Sequence, residues 1–256
     1  MLDAGAVVEP QANVSEIFVS FQGEGVHVGR RQLFVRLGGC PLRCRYCDTP
    51  ESLRPVPRCR VLGADGVHDR PNPLAADALE AEVTALRTAS PPLHAMAVTG
   101  GEPLAQTDFL ETWLATRRPP LPVLLETAGI WPQRLTRVLP YVDIVSLDFK
   151  CPSNTGERAR WDEHAACLAA AVAAGRDVYV KMPVDAGTVP DEVAHGARLV
   201  AQAGAPVPLL LTPLTTVDGS RMLIDAGTLE RLHAVASREH ADVRILPQLH
   251  KVLSIP

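Results

Sequence analysis

The stretch LGGCPLRCRYCDTPES, residues 37–52, packs Cys40, Cys44 and Cys47 into eight residues of a chain of 256, half of its six cysteines. It follows directly on the apolar run LFVRL (33–37), so the thiols sit on a loop leaving a predicted strand. Thiolates are soft ligands, and C-x3-C-x2-C aims three of them at three corners of a [4Fe–4S] cube. The fourth iron is then open to a ligand that is not protein, the feature that separates a catalytic metal site from a closed one. The same residues admit zinc, with Cys44 and Cys47 as a C-x2-C knuckle and Cys59 or His68 completing the shell.

Outward from this loop, short apolar runs recur: LFVRL (33–37), AMAVTG (95–100), PVLLETAG (122–129), VDIVSLDF (142–149), DVYVKMPV (177–184), PLLLTPL (208–214) and VRILPQL (243–249). Stretches rich in Ala, Leu, Glu and Arg near 75–89, 105–117, 161–174, 190–203 and 225–238 predict helices between them. Strand, helix and parallel strand in alternation predict an α/β protein, a complete or open (β/α) barrel rather than a sandwich or bundle. One domain is expected over 1–256. The exception to the pattern is 49–73, with five prolines and little periodicity, which predicts an irregular Pro/Arg-rich excursion.

Composition narrows the class of function. Hydrophobic residues make up 46% and charged residues 21%, with a formal net charge of −4, an ordinary globular balance. Lys and Arg are scattered, so neither nucleic acid nor an anionic membrane is an expected partner, and a small-molecule substrate is. The opening MLDAGAVVEPQANVSEIF is acidic where a signal peptide is basic and holds no membrane-length apolar run, which predicts a cytoplasmic protein. In that compartment thiols stay reduced, so a tight cysteine cluster reads as metal-binding or catalytic rather than as disulfides.

A second motif, TGGEP (99–103), ends a predicted strand. Gly100 and Gly101 permit close backbone approach, and Glu102 offers an acceptor suited to an ammonium group. With Tyr46 before Cys47, the cysteine pattern and this turn resemble the radical S-adenosylmethionine (SAM) enzymes, whose open iron chelates the amino and carboxylate groups of the cofactor. The flanks EIFVSFQGEGVHVGRRQLFVRLGGC (16–40), CDT (47–49), LETAG (125–129) and PQLHKVLSIP (247–256) resemble, more narrowly, the 7-carboxy-7-deazaguanine synthase family.

That resemblance implies a homodimer with a modified, incomplete barrel, converting 6-carboxy-5,6,7,8-tetrahydropterin to 7-carboxy-7-deazaguanine and ammonia on the way to queuosine and related deazapurines. It implies a [4Fe–4S] cluster on Cys40, Cys44 and Cys47, S-adenosylmethionine cleaved to a 5′-deoxyadenosyl radical, and Mg²⁺ on Thr49. A flavodoxin or ferredoxin is the implied source of the electron. The implied substrate contacts are Phe21, Gln22 and Gly23 at a rim, Arg36 on the substrate carboxylate, Thr99, His250, and the terminal carboxylate of Pro256. The implied cofactor contacts are Tyr46, Cys47, Asp48, Gly101, Glu102 and Glu126, with Ser146, Asp148, Lys150, Thr212 and Thr215 as candidates on later strand ends. A glycyl-radical activase would share the cysteines and GGEP without needing Arg36, Thr49 or a fixed C-terminal proline. A zinc-binding protein without catalysis is the rival from another class, and colour separates the two, since a cluster protein is brown.

Overall fold

The computed structural model describes residues 9–63 and 66–255. In chain order it begins with β1 (Gln11–Ala12), β2 (Val14–Phe21), β3 (Arg31–Leu37), β4 (Arg58–Gly63), β5 (Gly66–Pro71) and β6 (Leu74–Ala75). Helices and strands then alternate: α1 (Ala76–Ala89), β7 (Ala95–Gly100), α2 (Thr107–Thr116), β8 (Val123–Thr127), α3 (Pro132–Val138) and β9 (Ile144–Asp148). The remainder is α4 (Pro152–Thr155), α5 (Trp161–Ala173), β10 (Asp177–Val184), α6 (Pro190–Ala201), β11 (Leu209–Pro213), α7 (Ala226–Glu239), β12 (Val243–Ile245) and α8 (Leu249–Leu253).

Ten strands form one sheet in the order β12-β11-β10-β9-β8-β7-β3-β2-β4-β5, and β1 pairs with β6 separately. From β12 to β3 every neighbouring pair is parallel, so these strands all present their carboxyl ends on one side. That is the α/β architecture expected for an incomplete barrel: among the described residues β12 and β5 are the two edge strands and do not pair with each other. Each of the seven predicted strands and five predicted helices is present.

Side-chain alternation explains the layering. On β10, Val178, Val180, Met182 and Val184 join the large apolar core beneath the helices, while Tyr179 belongs to a second cluster on the opposite face with Phe18, Phe34, Leu124 and Leu210. Period-two alternation is what puts the two sets on opposite faces of one strand.

Residues 49–73 depart from the expected irregular excursion. After a short 3-10 turn at Pro50–Leu53, β4 and β5 form an antiparallel hairpin, and β4 runs parallel to β2. The physical reason is alternation: Cys59 and Val61 are fully buried while Arg58 and Arg60 are exposed. The prolines at 50, 55, 57, 71 and 73 fall outside β4 or at the end of the edge strand β5, where no ladder bond is lost. β2, which leads into the Gly-rich rim, is a further strand that the apolar runs after the cysteines did not include.

Candidate active site

The carboxyl ends of β3, β7, β8, β9, β10 and β11 surround a cavity of about 500 Å³. Cys40, Cys44 and Cys47, each half-buried, line it from the loop after β3. The other three cysteines lie elsewhere: Cys59, Cys151 and Cys167 are fully buried in the apolar core. The zinc reading fails on this placement, because Cys59 points into the core from β4 and His68, on β5, bonds Glu82.

The GGEP turn serves the cysteine loop through protein contacts. Gly101 N–H donates to Leu37 O at 2.9 Å and Glu102 N–H donates to Gly39 O at 2.9 Å, so the turn is laid against the backbone that leads into Cys40. Gly100 has φ +137°, and a Cβ there would sit 2.1 Å from Leu37 O; one on Gly101 would meet Gly39 O at 2.4 Å. Both glycines are therefore required by backbone packing. Glu102 also differs from expectation. Its carboxylate is buried and accepts from Leu104 N–H (3.0 Å), Thr127 Oγ1 (2.7 Å) and Ala128 N–H (2.7 Å). It ties the β7 turn to the end of β8 rather than standing free for an ammonium group; burial raises its pKa against those three donors.

Deeper in the cavity, charges alternate. Lys181 Nζ donates to Glu24 (2.6 Å) and faces Asp148 at 3.3 Å, and Lys150 Nζ donates to Asp148 (2.8 Å) while lying over the Tyr46 ring at 5.6 Å. Burial works against both lysine charges, but the neighbouring carboxylates hold them well above the ordinary lysine range. Burial likewise opposes the Glu24 carboxylate, yet Lys181 and His250 draw it down to about 2. Glu126 accepts from Gln22 Nε2 and from Thr99 Oγ1, both at 2.9 Å.

His164, from α5, supports this floor from beneath. Its Nδ1 donates to Gly129 O (3.1 Å) and its Nε2 accepts from Lys150 N–H (3.1 Å), which fixes a neutral tautomer and links the ends of β8 and β9.

The C-terminal segment closes one side. Leu249 N–H donates to Gly23 O at 2.8 Å, and a Cβ on Gly23 would fall 2.1 Å from His250 Nδ1. Gln248 donates to Glu24 at 2.7 Å. Glu24, Asp48 and His250 bring ligand atoms within 4.8 Å of one another beside Thr49.

Every site residue named from the sequence that lies among the described residues lines this cavity except Ser146 and Thr215. Ser146 is buried on β9; Thr215 donates to Gln248 Oε1 (3.2 Å) and so reaches the site at one remove. Pro256 lies outside the described residues. Arg36 lines the cavity while its Nε donates to Glu16 at 3.3 Å, leaving both terminal nitrogens free of that bond. Sequence reasoning missed Glu24, Lys181 and Gln248. Lys181 carried a readable signal, a charge in the middle of the otherwise apolar run DVYVKMPV.

Residues 34–200 match the family model of the radical SAM superfamily, and the fold and cysteine loop define a protein of that class. A 7-carboxy-7-deazaguanine synthase of Geobacter sulfurreducens is 36% identical over 96% of this chain and 98% of its own length. One from Methanothermobacter thermautotrophicus is 30% identical over the same shares of both chains. The crystal structure of QueE from Escherichia coli superposes with a TM-score of 0.56 at 18% identity, covering 94% of this chain and 95% of that one. This chain belongs to the 7-carboxy-7-deazaguanine synthase family.

The cofactors are accordingly a [4Fe–4S] cluster, S-adenosylmethionine and Mg²⁺. The residues present fit them. Burial pushes the Cys40 thiol up to about 11, an environment that disfavours a bare thiolate and that bound iron reverses. Among the described residues, Thr212 Oγ1 and the Tyr46 hydroxyl are buried without a partner, polar atoms that a bound ligand would satisfy.

Proposed function

We propose that this protein is a radical SAM lyase converting 6-carboxy-5,6,7,8-tetrahydropterin to 7-carboxy-7-deazaguanine and ammonia. The observation that carries the reading is that one cavity is lined by both the cysteine loop and the C-terminal segment, in a chain matched over nearly its full length by relatives named for that activity. When bound at Cys40, Cys44 and Cys47, the cluster with S-adenosylmethionine would supply the radical chemistry of hydrogen abstraction.

The chain's own residues bind and orient. Cys40, Cys44 and Cys47 hold the cluster. The two terminal nitrogens of Arg36 meet the substrate carboxylate as a fork, with Glu16 holding the guanidinium in position through Nε. Thr49 offers a hard oxygen to Mg²⁺, with Asp48 beside it. Phe21, Gln22 and Gly23 form the rim against the pterin, with Thr99 and His250 as further contacts. Glu126, oriented by Gln22 and Thr99, presents acceptor oxygens to the cofactor. Lys150 and Lys181 keep the polar end of the cavity electrically balanced against Glu24 and Asp148. We further propose a cytoplasmic homodimer reduced by flavodoxin or ferredoxin; no helix among the described residues is long and apolar enough to cross a membrane.

The test is anaerobic turnover of reconstituted protein with the pterin, S-adenosylmethionine, Mg²⁺ and a reductant, with product read by mass and Cys44→Ser as the control. Formation of 7-carboxy-7-deazaguanine with one ammonia, abolished in Cys44→Ser, is the expected result. Reductive cleavage of S-adenosylmethionine without that product would reject the substrate.

A further inference from the structure

Gln248 is 4% exposed, although it belongs to a terminal segment whose short helix α8 buries no residue of its own. A helix of five residues does not hold itself, so its seat depends on contacts outside it. Gln248 stands at the N-cap of α8 but makes no side-chain cap bond. Its side chain reaches across the cavity mouth instead. Nε2 donates to Glu24 Oε1 at 2.7 Å and lies 3.4 Å from Asp48 Oδ2, and Oε1 accepts from Thr215 Oγ1 at 3.2 Å. One amide thus joins the Gly-rich rim, the residue after Cys47 and the loop after β11. Glu24 is fixed from the other side by Lys181, so the chain of bonds runs from the middle of the sheet to the C-terminal segment.

The residue type suits the position. Two carboxylates face the donor end and a hydroxyl faces the acceptor end, and a primary amide serves both with two N–H groups and one carbonyl. Glutamate would repel Glu24 and Asp48, and lysine has no acceptor for Thr215. Two residues on, His250 lines the cavity, held so close to Gly23 that no Cβ fits between them.

We infer that Gln248 is a positioning residue: it seats the C-terminal segment on the cavity mouth and thereby sets how tightly the substrate is held. The identity of that substrate rests on the function proposed above; the seat itself does not.

The experiment compares wild-type holoenzyme with Gln248→Leu, which keeps the bulk and removes the amide, and with Gln248→Glu, which keeps an acceptor but sets a like charge against Glu24 and Asp48. KM for the pterin, kcat, S-adenosylmethionine cleavage without pterin, and amide hydrogen exchange over residues 249–255 are read. In Gln248→Leu the expected result is a KM raised about tenfold or more, the worth of one charge-assisted hydrogen bond. Exchange over 249–255 quickens, while kcat and pterin-free cleavage stay close to wild type. Gln248→Glu raises the KM at least as far, and a wild-type KM in that variant would overturn the proposal. Faster exchange with an unchanged KM would make the contact merely structural and overturn the proposal, as would unchanged exchange. If wild type turns over no pterin, the substrate reading fails, while faster exchange in Gln248→Leu still supports the seat and unchanged exchange removes it.

Discussion

The parallel strands carry two surroundings on their two faces. On β9, β10 and β11, Val145, Leu147, Val180, Met182, Leu209 and Leu211 pack beneath the helices in the large apolar core. On the other face the same strands show a gradient. Ile144, Tyr179 and Leu210, with Ala95 and Leu124 from β7 and β8, form an apolar plug near the strand starts. Glu126, Asp148, Lys181 and Thr212 crowd the carboxyl ends around the cavity. Apolar burial on the helix-covered face is favourable at about 25 cal/mol per Å², whereas charges on the inner face are tolerated only when paired. Stability is concentrated on one face and chemistry at one end of the other.

The sharpest way to break this comparison is to substitute two neighbours on β10. Lys181→Met leaves the buried ends of Glu24 and Asp148 without their shared cation, and a loss of roughly 3–5 kcal/mol is expected. Turnover by the folded fraction falls about 100-fold, as misplaced contacts at a radical site imply. Met182→Ala, on the opposite face, costs roughly 2–5 kcal/mol through the cavity it leaves. Its turnover per folded, cluster-loaded molecule stays at wild type. Urea unfolding and kcat per cluster measure both; equal losses of kcat would erase the distinction between the faces.

The helix-covered face was legible in the sequence for the same reason it is stable. Runs such as AMAVTG and DVYVKMPV repeat a period set by burial, and strands with both faces covered read as continuous apolar segments. The cysteine loop was legible because metal chemistry restricts residue type and spacing together. The Glu24, Lys181 and Gln248 connection was not, because it joins residues 157 and 224 positions apart, and only the closed fold brings them into contact. Glu102 illustrates the converse: an acidic residue after two glycines reads as a ligand, yet three inward donors claim it. β4 was obscured by the prolines that flank it.

A smaller effect, spread between the two faces, comes from His164. Buried and uncharged between Gly129 and Lys150, it has its pKa lowered by that burial to about 4, against an ordinary value near 6.5. Between these values the unfolded chain binds a proton that the folded chain refuses. Stability is therefore fully present above about pH 6.5 and declines as pH falls toward 4, by at most roughly 3 kcal/mol. The urea midpoint at pH 7 against pH 5 measures this. His164→Gln removes the titrating group, so its own pH 7 to pH 5 drop is expected to be shallower; identical drops in both proteins would assign the acid sensitivity elsewhere.

The smallest expected effect lies beyond both faces, on the β4–β5 hairpin. Its strand β4 borrows the sheet's logic, burying Cys59 and Val61 in the same apolar core as β2 and β3. The cross-strand pair Arg58 to Asp69 at 3.2 Å belongs to a different regime, with the two side chains 55% and 42% exposed. Exposed ion pairs are screened by water and ordering them costs side-chain entropy, so Arg58→Ala is expected to shift stability by less than about 1 kcal/mol. Turnover stays unchanged, because the pair lies outside the residues lining the cavity. A loss several times larger, measured by urea unfolding, would mean that the hairpin's outer surface supports the β2 and β3 rim, and that the polar end of the sheet extends its dependence past the cavity to the edge strands.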